Sequence, residues 1–136
     1  MPSFPSSPEA AVQVVIAVSC GILGLSHIFQ PAMWRSYFVA LHRQGTSGVI
    51  TRTFLFEIWP ALFVLTLHPV WSGPGIVVTI YGWLLFGKAT TSLLVPSVGV
   101  RSLRMAAPGD GRFVAAGMVL LIVAAAAGTA LLSSSS

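Results

Sequence analysis

Residues 49–95, VITRTFLFEIWPALFVLTLHPVWSGPGIVVTIYGWLLFGKATTSLLV, decide the fold of this chain. Two apolar stretches, Val49–Leu67 and Gly75–Val95, flank the turn His68-Pro-Val-Trp-Ser-Gly-Pro74. A bilayer's hydrocarbon core is about 30 Å thick and takes about 20 apolar residues per helix. Each stretch has that length, and the Pro and Gly residues between them stop a helix. The segment therefore reads as two antiparallel membrane spans joined by a tight turn, with Trp71 placed as an interfacial anchor.

Outward from this pair lie two more apolar stretches, Ala10–Phe29 and Phe113–Leu132. The chain is 55% hydrophobic and 7% charged, with mean hydropathy +0.89. A soluble domain is roughly 25% charged. Four spans and short connections use nearly all 136 residues, so the expectation is one all-α integral membrane domain over 1–136.

The seven Lys and Arg residues orient it. Arg35, Arg43, Arg101, Arg104 and Arg112 lie in the connections after spans one and three, while Arg52 and Lys88 lie toward that same end of spans two and three. The N-terminal lead, the His68–Pro74 turn and the Ser133–Ser136 tail have none. The positive-inside rule then expects an inner (plasma) membrane protein with both termini extracytoplasmic. The basic pI, near 10.3, follows from this topology and contact with the bilayer, and does not imply nucleic acid.

Residues 1–8, MPSFPSSP, form a Pro/Ser-rich lead, and Pro8-Glu9 suits the first turn of a helix. Gly21 and Gly24 allow a neighbouring backbone to come close. After Pro31, residues 32–44 place Met33, Trp34, Tyr37, Phe38 and Leu41 at helical spacing, as in a short amphipathic helix lying in the membrane interface. Gly45-Thr46-Ser47-Gly48 should break that helix before span two. Span four has no ionisable group, and Ala124, Ala127 and Gly128 offer a small-residue ridge to a partner helix or a second copy. Pro31 with Arg35-Ser36 is echoed by Pro96 with Arg101-Ser102, a weak sign of a two-plus-two repeat. Cys20, the single cysteine, follows Ala17-Val18-Ser19, but no Lys or Arg precedes it as an export signal requires, so it reads as a small apolar residue within span one.

Charges inside a span cost at least about 2.5–3.5 kcal/mol each. Glu57 lies 15 residues before Ser72 and Lys88 lies 16 after it. At 1.5 Å rise per residue the two reach nearly equal depth, and pairing would offset their desolvation. Pro60 should kink span two by displacing the carbonyl of Phe56. The candidate site is thus a Glu57–Lys88 pair, with His27, Arg52, Trp59 and Trp83 as the rest of a polar pocket. Trp59 and Trp83 read first as buried packing aromatics and second as stacking surfaces for a ligand. His27, His42 and His68 do not share one side of the membrane, which argues against a metal centre or a haem. No catalytic triad, phosphate-binding loop, dinucleotide fingerprint or cysteine pair appears, so neither catalytic residues nor a cofactor is expected.

His68-x-x-Trp71 followed by Thr79-x-x-Gly82-Trp83-x-x-x-x-Lys88, with Gly24-Leu25-Ser26-His27, Pro31 and Trp34 upstream, resembles a pattern found in small four-helix bacterial inner-membrane proteins. The resemblance covers about residues 24–96. It departs at Pro69, where that group usually has Asn, and it implies a four-helix membrane fold and no catalytic residue. Small multidrug-resistance transporters share the length, but their essential Glu lies in the first helix, where this chain has none.

Three functions fit these features. The first is a non-enzymatic small membrane subunit or interaction protein. The second is a small transporter or ligand-binding protein using the pocket around Glu57 and Lys88. The third is a membrane-embedded enzyme or quinone-interacting protein with His27 carrying protons. A dry, packed bundle favours the first, and a water-reachable polar cavity the second.

Overall fold

The computed structural model describes residues 5–134, and these are helical with no strand among them. Helix α1 is Pro8–Phe29, α2 Pro31–Arg43, α3 Thr46–Arg52, α4 Ile58–Leu67, α5 Gly75–Leu94, α6 Pro96–Arg104 and α7 Gly111–Ser134. A π-turn, Thr53–Glu57, joins α3 to α4, so Thr46–Leu67 is one continuous helical span. This span, α1, α5 and α7 are each long and apolar enough to cross a membrane.

Prolines set the helix ends. Gln30, His68 and Val95 each precede a proline, and each leaves the helical region, with φ/ψ of −128/49°, −132/62° and −127/79°. The proline ring clashes with a helical residue before it, so α1, α4 and α5 stop where they do. Pro31 and Pro96 then open α2 and α6, where a missing N–H costs nothing. At the other end of α1, Ser7 Oγ accepts from Ala10 N–H at 3.1 Å and Glu9 complements the dipole. Residues 1–4 of the lead lie outside the described residues.

Two expectations about connections change. The break at residues 45–48 narrows to Gln44-Gly45, where Gly45 takes φ 58°, and α3 resumes at Thr46. Gly48 lies inside α3 instead, and only glycine fits there because a side chain would overlap the carbonyl of Leu41. The connection after span three contains α6, an unforeseen second short helix. Its Gly99 and Leu103 face inward while Arg101 and Arg104 stay out. The element order thus repeats: a span, a proline, a short helix, a span.

The core runs along α1, α4, α5 and α7 through Val12, Ile16, Cys20, Val64, Val78, Val123 and Ala127. Helix α7 packs chiefly on α1. They meet backbone to backbone where a Cβ at Gly24 would lie 2.9 Å from the Gly117 carbonyl oxygen, and one at Gly117 would lie 2.6 Å from that of Gly24. Ala124 and Ala127 are therefore spent on α1, whereas Gly128 faces open space. At the arginine-rich end, Leu41, Val49 and Leu103 bind α2, α3 and α6 together. The aromatic stripe of α2 turns onto the bundle. Trp34, Tyr37 and Phe38 meet Phe56 and Phe113, and Leu41 is buried.

Candidate functional site

Three charged side chains and two serines converge just inside the arginine-rich end. Glu57 Oε1 lies 2.6 Å from Lys88 Nζ and 3.2 Å from Arg52 Nε. The Arg52 guanidinium also donates to Ser102 Oγ on α6 and, at 3.2 Å, to Ser92 Oγ on α5. The Arg52 and Glu57 side chains are only 2% and 4% exposed, while Lys88 is 49% exposed. Arg52 and Glu57 are thus held apart from solvent and tied to each other, and Lys88 reaches the cluster from the rim.

The backbone makes this meeting possible. At 3.6 residues per turn, side chains five apart on an α-helix point roughly 140° from each other. Between Arg52 and Glu57 the helix widens into the π-turn, in which Ile58 N–H bonds to Thr53 O. An i to i+5 ring brings positions five apart nearly into line. Pro60 accounts for its place: it has no N–H for the carbonyl of Phe56, and its ring would crowd that carbonyl. The expected kink is realised as a π-turn one turn earlier.

Two atoms of the turn stay unsatisfied. Glu57 Oε2 and Thr53 Oγ1 are buried without hydrogen-bond partners. Two cations and one carboxylate leave the centre one positive charge in excess, counting Arg52, Lys88 and Glu57.

Compared with known protein families, with characterised proteins and with solved structures, the chain matches none of them.

The remaining residues expected in the pocket are elsewhere. His27 is buried on α1, where its Nδ1–H donates to Leu23 O at 2.7 Å and its ring stacks on Trp34 at 4.2 Å between centroids. Its contacts run to Leu23, Trp34 and Phe113, away from the ionic centre. Trp59 and Trp83 are not buried aromatics but are 48% and 51% exposed on the bundle's outer surface, against Phe54 and Phe86. The inward positions beside them are Ala61, which is fully buried, and Gly82, where a Cβ would strike Val64. No group of three or more potential metal ligands occurs among the described residues.

A second polar centre, missed from the sequence, lies at the opposite end. His68 is fully buried between Gln13 on α1 and Thr79 on α5, with Nε2 3.1 Å from Gln13 Nε2 and Nδ1 3.1 Å from Thr79 Oγ1. Thr79 spends its one proton on Val70 O at 2.6 Å, so it must accept from His68 Nδ1–H. His68 Nε2 is then the acceptor for the Gln13 amide, and the imidazole is neutral. Burial pushes its pKa below the ordinary histidine range, against weaker opposing effects of its own backbone and the Glu9 charge. Gln13 Oε1 is left without a donor. The cue was present: Gln13, His68 and Thr79 are the polar residues at matching depth near the turn end of three spans.

Proposed function

We infer that this chain is a multipass membrane protein of the inner membrane, with its arginine-rich end in the cytoplasm and both termini outside. Its role is that of a small non-enzymatic subunit or interaction protein, and the Glu57 centre is a clamp fixing helix register. The outer faces support insertion: Val15, Ile22, Phe54, Leu62, Leu84 and Ile122 are all exposed, a surface that water tolerates poorly. The observation that carries the clamp is the linkage made by Arg52. Its guanidinium is ion-paired with Glu57 and donates from its two terminal nitrogens to Ser102 and Ser92, drawing three helical segments together, while Nε has the ion pair and no hydrogen bond among the described residues. Association with another helix or copy would use the outward side of α7, where Gly128 lies.

Replacing Arg52 with Met and Glu57 with Leu together tests this reading. A clamp can be exchanged for apolar packing with the fold retained, and the variant should keep whatever protein co-purifies stoichiometrically with the wild type in mild detergent. Retained fold with lost binding of a small molecule would favour a ligand pocket instead. That second reading has specific support in the unpartnered Glu57 Oε2 and Thr53 Oγ1, the excess positive charge and the half-exposed Lys88. Its ligand would be a small anion.

A further inference from the structure

The end opposite the arginines carries a cleft of about 330 Å³ between the start of α1, the 70–75 turn and the end of α7. Its walls include Ser7, Glu9, Gln13 and Ser72. Three observations converge on it. Glu9 and Gln13 are four residues apart on α1 and so share one face, one turn from each other. Gln13 is 5% exposed and its Oε1 has no donor, although its amide nitrogen is fixed by His68. Finally, residues 1–34, 53–87 and 113–136 contain no Lys or Arg, and the one charged side chain among the described residues lining the cleft is Glu9.

A buried carbonyl oxygen without a donor is rare and calls for a partner. Turning the Gln13 amide over would set Oε1 against the acceptor nitrogen His68 Nε2 and leave both without a donor. The partner therefore has to come from the cleft. Glu9 one turn away supplies a carboxylate, and a ligand bridging both must offer at least two N–H or O–H donors and gains from a positive charge.

We propose that the cleft is a binding site for a small primary ammonium cation, which donates to Gln13 Oε1 and pairs with Glu9. The site lies on the opposite end of the bundle from the Glu57 centre and does not depend on that centre's role.

The test is a titration of the detergent-solubilised full chain with methylammonium chloride at pH 7.5, sodium chloride balancing the ionic strength, read as the thermal unfolding midpoint. A saturable rise is expected. Glu9→Gln, which leaves the Gln13–His68–Thr79 bonds intact, should weaken the apparent affinity by roughly tenfold or more, the effect of one lost charge-assisted hydrogen bond. Gln13→Met should remove the response if the variant folds. Tetramethylammonium, with equal charge and no N–H, should give no saturable rise. The proposal is overturned by a response absent from wild type, by one equal for tetramethylammonium, or by one that Glu9→Gln leaves unchanged. In any of those cases the cleft is not an ammonium site.

Discussion

Arg52 and Glu57 meet across a π-turn. Five residues apart on one helical span, they would diverge on an α-helix, yet Nε and Oε1 lie 3.2 Å apart at the core of the bundle. The turn adds the residue that swings Glu57 back over Arg52, toward Lys88 on α5. Backbone irregularity and ionic cluster are one feature, and Pro60 is the residue that makes the regular helix unavailable at that point.

The unpartnered hydroxyl in that turn gives a direct probe. Thr53 is fully buried and its Oγ1 bonds to nothing among the described residues. Thr53→Val keeps the shape and the β-branch while removing the hydroxyl. Thermal unfolding in detergent should show a gain of about 1 kcal/mol, the order of the desolvation cost relieved. A loss of stability would mean the hydroxyl is used, by Glu57 Oε2 or by a bound molecule, and would favour the pocket over the clamp.

Close approach of α1 and α7 makes the next expectation. Any side chain at Gly24 or Gly117 strikes the opposing backbone, which cannot swing aside as a side chain can. Gly24→Ala or Gly117→Ala should each cost about 1–3 kcal/mol, as overpacking does. Gly128→Ala, with nothing within 4 Å, should be neutral in the same unfolding assay. A costly Gly128→Ala confined to an oligomeric preparation would reveal that α7 packs on a second copy.

How far the sequence carried can be seen in particular residues. The four spans were readable from hydropathy and proline positions within a few residues, because the three helix ends at Gln30, His68 and Val95 obey a local steric rule. Equal depth for Glu57 and Lys88 followed from counting along two helices. The π-turn was hidden, since a register change inside a helix leaves no trace in apolar periodicity, and with it the Arg52–Glu57 contact. Helix α6 was masked by its Ser, Gly and Val content, which has weak helix propensity. Trp59 and Trp83 misled because depth along a helix says nothing about which face a side chain takes. Gln13 was overlooked as one polar residue in an apolar run, its partner being 55 residues away.

His68 gives a pH dependence with a definite sign. Burial holds its pKa below the ordinary value, so the unfolded chain takes up the proton first. Stability from the neutral imidazole is therefore complete above about pH 6.5, the usual histidine value, and declines as pH falls below it. The groups facing His68 are Gln13, Thr79 and, more distantly, Glu9, with no cation to alter the sign. Unfolding midpoints between pH 8 and pH 5 should fall for the wild type and fall less for His68→Gln. An identical slope in both would show that His68 binds its proton equally in the folded and unfolded chain, so that burial does not hold its pKa down.

Orientation is checked separately. A C-terminal alkaline phosphatase fusion should be active and a C-terminal fluorescent-protein fusion dark, because the basic connections should remain in the cytoplasm. The reverse pattern would turn the bundle over and place the Glu57 centre near the outer surface.

The clamp itself rests on one comparison. Glu57→Gln leaves the buried Arg52 cation without its counter-charge, a loss of about 3–5 kcal/mol for a wholly buried pair. Lys88, half exposed, can swing outward, so Lys88→Met alone should cost only about 0–1 kcal/mol. The decisive variant is Arg52→Met, measured by thermal unfolding in detergent in two backgrounds. In the wild type it should destabilise, by removing the bonds to Glu57, Ser92 and Ser102. In Glu57→Gln it should stabilise, because the orphaned buried charge disappears. This reversal of sign is the result the account requires, and the same cost in both backgrounds would contradict it.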